Sequence, residues 1–172
     1  LDIIKIWEGG MSFHGALIGV VLGTYIFSQK KKVPFLFFLD IIACVSPLGI
    51  FLGRIANFIN GELVGKITEV PWSVVFPTFD MMPRHPSQLY EALLEGLILF
   101  LILNAIILKR QYRIGFSSSI FLIFYGIFRI FSEQFREPDS QIGYVLGNLS
   151  VGSMLSIVMV FTGFIVLSFL KK

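Results

Sequence analysis

The chain has 172 residues, of which 55% are hydrophobic and 15% charged, with 19 Phe and a mean hydropathy of +0.82. Soluble domains carry about 25% charged residues, so this composition excludes a disordered tail, a nucleic-acid-binding module and an ordinary cytosolic enzyme. The formal net charge of +3 is modest, and its distribution along an integral membrane protein matters more than its size. The single cysteine, Cys44, permits neither an intrachain disulfide nor a cysteine zinc site.

A spanning helix needs about 20 mostly apolar residues. Five segments qualify, at about 11–29, 34–57, 88–108, 114–133 and 146–170, giving an all-α, polytopic bundle in one membrane-embedded domain, 1–172. The chain opens on Leu1 rather than Met, which reads as a fragment or a processed form. Short basic connections (Lys30 to Lys32; Lys109, Arg110 and Arg113; Lys171 and Lys172) alternate with longer mixed ones around 58–87 and 134–145. By the positive-inside rule the basic ends are cytoplasmic, and the longer connections face outward. The loop 58–87, with Pro71, Pro77, Pro83 and the apolar run Trp72 to Phe76, is too long for a turn and too apolar for a free linker. It is expected to fold back onto the membrane surface.

From Ser140 to Leu170 no charge occurs, whereas the second span holds Asp40 and Arg54, the third Glu91 and Glu95, and the fourth Arg129. An arginine near a helix centre costs about 2.5 to 3.5 kcal/mol on insertion scales, which makes each such charge a functional candidate. At a rise of about 1.5 Å per residue, Arg129 lies roughly 22 Å above Ile114, within the outer leaflet. Tyr125, Arg129 and Glu133 follow at intervals of four and Arg136 comes three later, so one stripe carries a phenol, two guanidiniums and a carboxylate. Arg54 and Asn57 share a face, and His14 sits near the outer start of the first span. These groups converge on the depth of an outer-leaflet phospholipid phosphate, which a planar, permanently charged fork suits.

Plainer roles exist for each. Arg136 could snorkel to the interface, Arg129 could be in a structural pair with Glu133, and a lone His on an apolar face often serves helix packing. Glu91 and Glu95 could carry protons as in a transporter or serve as partners for the arginines. Asp40 reads as a structural hydrogen bonder and Cys44 as packing.

The polar positions fall into four words: Ser12-Phe13-His14-Gly15-Ala16; Gly53 through Arg54, Asn57, Asn60 and Glu62 to Gly65; Arg84-His85-Pro86-Ser87-Gln88-Leu89-Tyr90-Glu91; and Tyr125 to Arg129 running on to Phe135-Arg136-Glu137-Pro138-Asp139. Together they resemble the prolipoprotein diacylglyceryl transferases of bacterial inner membranes, from residue 11 to residue 170. The family has seven spans, and this chain looks like the last five, without the two upstream spans and the tyrosine they carry. Where the family usually reads His-Gly-Gly, this chain has Ala16, which still permits close helix approach.

The resemblance implies transfer of the diacylglyceryl group of phosphatidylglycerol to the lipobox cysteine thiol of a preprolipoprotein, forming a thioether and releasing glycerol phosphate. Such a thiol must be deprotonated to attack, and the leaving phosphate needs preorganised cations in a water-poor site. Arg54 and Arg129 are the candidate clamp and His14 the candidate general base, although another group could take the thiol proton. Tyr125 could hydrogen-bond the phosphate or glycerol. Asn57, Asn60, Glu62 and Gly65 would shape the headgroup pocket, with Glu62 orienting an arginine, and Glu133 and Arg136 would extend the polar stripe toward the signal peptide. No metal constellation or phosphate-cradling glycine loop is present, so no cofactor is expected; the partners implied are phosphatidylglycerol, the lipobox peptide and the bilayer, with no nucleic acid. A transporter or scramblase would instead carry polar groups to both faces, and a structural subunit would need no charge stripe.

Overall fold

The computed structural model describes residues 13–108, 113–137, 144–146 and 149–170. Among them run the helices α1 (Phe13–Lys31), α2 (Phe35–Asn60), α3 (Ser87–Glu91), α4 (Leu99–Leu108), α5 (Phe116–Ser132) and α6 (Val151–Leu170). A π-helical stretch, Ala92–Ile98, joins α3 to α4, so Ser87–Leu108 forms one continuous rod. Two short hairpins, β1 (Val74–Val75) with β2 (Pro83–Arg84) and β3 (Tyr144–Leu146) with β4 (Leu149–Ser150), complete the architecture. Phe35–Asn60, Ser87–Leu108 and Val151–Leu170 are long and apolar enough to cross a membrane, and Phe116–Ser132 is a shorter apolar helix. This is an all-α polytopic membrane bundle.

The last helix corrects the sequence reading. It begins at Val151, not near 146, because Ser150 caps it: the Ser150 Oγ accepts a hydrogen bond from the Ser153 amide at 3.1 Å. The residues before it form the β3–β4 hairpin.

Helix directions follow from contacts at the two ends. Asp40, early in α2, accepts hydrogen bonds from the Gly115 and Ser118 amides at 2.6 and 2.7 Å and from the Ser118 hydroxyl at 2.6 Å. It thereby caps α5, which lacks a side-chain cap of its own, and fixes the starts of α2 and α5 at one end of the bundle. Asp40 is the structural hydrogen bonder its position suggested. Helices α5 and α6 run antiparallel, packed through small residues: a Cβ on Gly126 would lie 2.7 Å from the Ser156 carbonyl, and one on Gly163 would lie 2.9 Å from the Ser119 carbonyl. At the same end as Asp40, Arg113 donates to the carbonyl of Leu170, the last residue of α6. Helix α1 leans on α2 through edge-to-face pairs Tyr25–Phe35 and Phe27–Phe38.

The π-helical stretch has a structural reason. Glu91, Glu95, Leu99 and Leu103, spaced four apart, are all buried to 1% exposure or less. On an α-helix of 3.6 residues per turn such a stripe rotates by about 40° at each step and about 120° over the set. Wider winding takes up that rotation, so carboxylates and leucines alike face α2 and α5. Gly96 lets the backbones approach, since a Cβ there would sit 2.7 Å from the Phe51 Cβ. Leu99, Leu103 and Cys44 make the buried apolar core, with Ile107, Phe121, Phe124 and Phe128 against it.

Candidate active site

Helix α2 ends in a Schellman turn: Gly61, at φ 69°, donates to the Phe58 carbonyl and Glu62 donates to the Asn57 carbonyl. The chain then passes through a crossing. Val64 to Thr68 lies between Pro83 to His85 on one side and Phe135 to Glu137 on the other, with hydrogen bonds from Gly65 N to His85 O, Lys66 N to Phe135 O, His85 N to Lys66 O and Glu137 N to Val64 O. Gly65 is required there because a side chain would collide with the His85 and Phe135 carbonyls.

Arg84 locks the crossing. Its guanidinium is bidentate on Asp80 and donates to Glu137 Oε2 at 3.1 Å and to the Gly65 carbonyl at 2.8 Å, with the Phe79 ring beneath it. Arg84 holds the Asp80 carboxyl below the usual carboxylate range. Beside it, Tyr90 Oη accepts from Trp72 Nε1 at 2.7 Å and lies 3.2 Å from His85 Nδ1. Burial and the Lys66 ammonium push the His85 pKa down, so a neutral imidazole accepting the Tyr90 proton fits the geometry. The loop 58–87 is thus a folded cover over one end of the bundle.

Beneath that cover the charges assemble. The Glu91 carboxylate lies 2.7 Å from Arg54 Nε, 3.3 Å from Arg129 Nη1 and 3.7 Å from Arg136 Nη1. Arg129 also meets Glu133 at 2.8 Å and Glu95 at 3.8 Å, and the Ser150 hydroxyl donates to Glu133 at 3.0 Å. Three arginines from the ends of α2 and α5 and the segment after α5 therefore share one buried carboxylate. Several buried polar atoms have no hydrogen bond, among them both oxygens of Glu91 and Glu95, Arg129 Nη1 and Gln88 Oε1. Among the described residues no group of three or more His, Cys, Asp or Glu is placed to hold a metal.

Of the residues singled out in the sequence, Arg54, Arg129, Glu133 and Arg136 come together in this cluster. Tyr125 lies one turn from Arg129, stacked on Phe121 with centroids 5.4 Å apart. Asn57 is half-buried and Asn60 exposed at the end of α2, and Gly65 shapes the crossing rather than the cluster itself. Glu62 departs from its expected role: its carboxylate is exposed, and it contributes its carbonyl, which accepts from Gln88 Nε2 at 2.6 Å. Among the described residues, Arg54, Arg129 and Arg136 pair with Glu91, Glu95 and Glu133. His14 lies on the first turn of α1, and its side chain falls outside the described residues. Arg84 and Gln88 also hold this end together, and the sequence signals them only by their place in the third word and by Asp80 four residues before Arg84.

Residues 1–169 match the model of the prolipoprotein diacylglyceryl transferase family. The chain belongs to that family. It is similar to proteins named phosphatidylglycerol–prolipoprotein diacylglyceryl transferase from Rickettsia akari (strain Hartford) and Rickettsia felis, at 55% identity over 165 residues, and to that of Rickettsia typhi, at 54% over 168 residues. Each alignment covers 95% of this chain and 64% of the relative, so the chain spans somewhat less than two thirds of their length.

Proposed function

We propose that this chain carries the lipid-headgroup site of an enzyme that moves the diacylglyceryl group of phosphatidylglycerol to the lipobox cysteine thiol of a preprolipoprotein, releasing glycerol phosphate. The observation that carries the reading is the gathering of Arg54, Arg129 and Arg136 around Glu91 within an apolar bundle. Removing three guanidiniums from water for structure alone is poorly rewarded, whereas forks aimed at one point suit a phosphate oxygen on which charge develops as the carbon–oxygen bond breaks. Arg54 and Arg129 grip the phosphate, Tyr125 steadies it or the glycerol, and Asn57, Asn60 and the Gly65 crossing shape the headgroup pocket. Glu133 and Arg136 extend toward the peptide, and His14 takes the thiol proton. The site faces the outer leaflet of a bacterial inner membrane; in support, it lies at the end of the bundle opposite Lys30, Lys31 and Arg113.

The test is transfer of labelled diacylglyceryl from phosphatidylglycerol in proteoliposomes to a lipobox peptide. Label on the cysteine is the expected result; its absence with well-folded protein overturns the reading. Arg129→Lys preserves charge but loses the planar fork, so the rate should fall steeply. Retention of more than about half the rate would return Arg129 to a purely structural role beside Glu133.

A further inference from the structure

The ion pairs join three guanidiniums, Arg54, Arg129 and Arg136, to three carboxylates, Glu91, Glu95 and Glu133. The carboxylates are held unequally. Glu91 is close to all three arginines, and Glu133 has Arg129 at 2.8 Å and the Ser150 hydroxyl at 3.0 Å. Glu95 is fully buried and, like Glu91, has no hydrogen bond to either oxygen, but its nearest guanidinium nitrogen is 3.8 Å away, against 2.7 Å for Glu91. The groups that face it are Glu91 on its own helix, Arg54 from α2, and Tyr125, Arg129 and Glu133 from α5.

A buried carboxylate with neither a donor nor a close cation is the least favourable charge in this set. A phosphodiester is a monoanion throughout the neutral range. Seating one among the three arginines brings a fourth negative charge to three positive ones where the local dielectric is low. Neutralising the carboxylate with the weakest partners relieves the excess with the smallest loss of contacts.

We propose that Glu95 takes up one proton from solvent when an anionic phosphodiester headgroup enters the arginine cluster and returns it when the headgroup leaves. This rests on the assignment of the arginines to a lipid phosphate given under Proposed function. Protonation gives Glu95 a donor where the ionised form has only acceptors, and it leaves Arg129 Nη1, itself without a hydrogen bond, available to the phosphate. Glu91 remains the shared partner that keeps the three guanidiniums together.

The test is calorimetric titration of the purified protein with short-chain phosphatidylglycerol in two buffers of different ionisation enthalpy, from about pH 5 to about pH 9, with phosphatidylcholine as the zwitterionic control. The wild type should take up close to one proton per phosphatidylglycerol on the alkaline side, where affinity falls by up to about tenfold per pH unit, and none with phosphatidylcholine. Glu95→Gln, permanently neutral, should bind phosphatidylglycerol with no proton uptake and a flat pH profile, and Glu95→Asp should restore uptake. A wild type that binds without proton uptake overturns the proposal even if the Gln variant does not fold. Uptake persisting in a folded Gln variant overturns it equally, by assigning the proton elsewhere. Diacylglyceryl transfer without proton uptake sinks this inference alone; proton-linked binding without transfer sinks only the proposed activity. Failure to bind phosphatidylglycerol sinks both.

Discussion

Glu91 is the carboxylate on which the three arginines converge, and its removal tests whether the cluster acts as one unit. Glu91→Gln keeps the shape and removes the charge. Arg54, 2.7 Å from Glu91, loses the acidic partner its ion pair shows, whereas Arg129 retains Glu133 at 2.8 Å and Glu95 at 3.8 Å. The two arginines should therefore respond differently to the same change. At an effective dielectric near 20, unit charges 4 Å apart interact by about 4 kcal/mol, and removing one partner of a buried pair costs about 3 to 5 kcal/mol because the other charge is stranded. Glu91→Gln is expected at the upper part of that range, since three guanidiniums are left facing one another. Arg54→Gln in the Glu91→Gln background removes one stranded cation, so the double variant should be less destabilised than the sum of the singles by about 1 to 3 kcal/mol. Arg129→Gln in the same background should show weaker coupling because its other carboxylates remain. The assay is unfolding of each variant in detergent by chemical denaturation, read by loss of helix signal. If Arg54 and Glu91 add within about 0.5 kcal/mol, Glu91 is not the shared partner.

Three further outcomes follow from contacts elsewhere. Gly65→Ala should destabilise the cover by about 1 to 3 kcal/mol, because the new methyl meets two carbonyls, while Gly53→Ala, with nothing within 4 Å, should be neutral; comparative proteolysis of the loop 58–87 reads both. Asp40→Ala should cost about 1 to 2 kcal/mol by uncapping α5, measured by thermal unfolding, and Ser118→Ala should be milder because the Gly115 and Ser118 amides keep Asp40. The Asp80 carboxyl is depressed by Arg84, so its contribution is present above the unfolded carboxylate range and lost as pH falls through the folded value. Protease sensitivity of the cover should thus rise on acidification below about pH 4, and Asp80→Asn should be sensitive at neutral pH already.

Much of the site was legible because intramembrane charge is rare enough to stand out against 55% apolar residues. The stripe Tyr125, Arg129, Glu133 lies within one helix, and helical spacing alone places its members together; the Arg129–Glu133 pair at 2.8 Å lies on that stripe. Glu91 was different. Its position one turn from Glu95 fits a proton-carrying pair and an arginine partner equally, and only the packing of three helices decides between them. Glu62 enters the expected site only through the family resemblance; the left-handed turn at Gly61 carries the chain away from the end of α2 there, and the contact it makes is through its carbonyl. The fifth span was placed early because the charge-free run from Ser140 offers no hydropathy boundary, and the boundary is a single capping hydroxyl on Ser150.

The stripe Glu91, Glu95, Leu99, Leu103 also bears on what kind of membrane protein this is. A conduit for ions or headgroups needs polar groups that continue from one face to the other. Here the polar half of the stripe ends at Glu95, and the next two members are fully buried leucines packed with Cys44 and a set of phenylalanines. Polar groups reappear at Asp40, Ser117 and Ser118, but these are tied to the start of α5 and lie beyond the apolar plug. Among the described residues the arginines and their carboxylates thus sit together at one end, under a cover locked by Arg84, and packed core separates them from Asp40 at the other. A polar path continuing from this cluster to the other face would require Leu99 and Leu103 to separate from α2 and α5, with loss of about 2 to 5 kcal/mol for each large side chain withdrawn from the core.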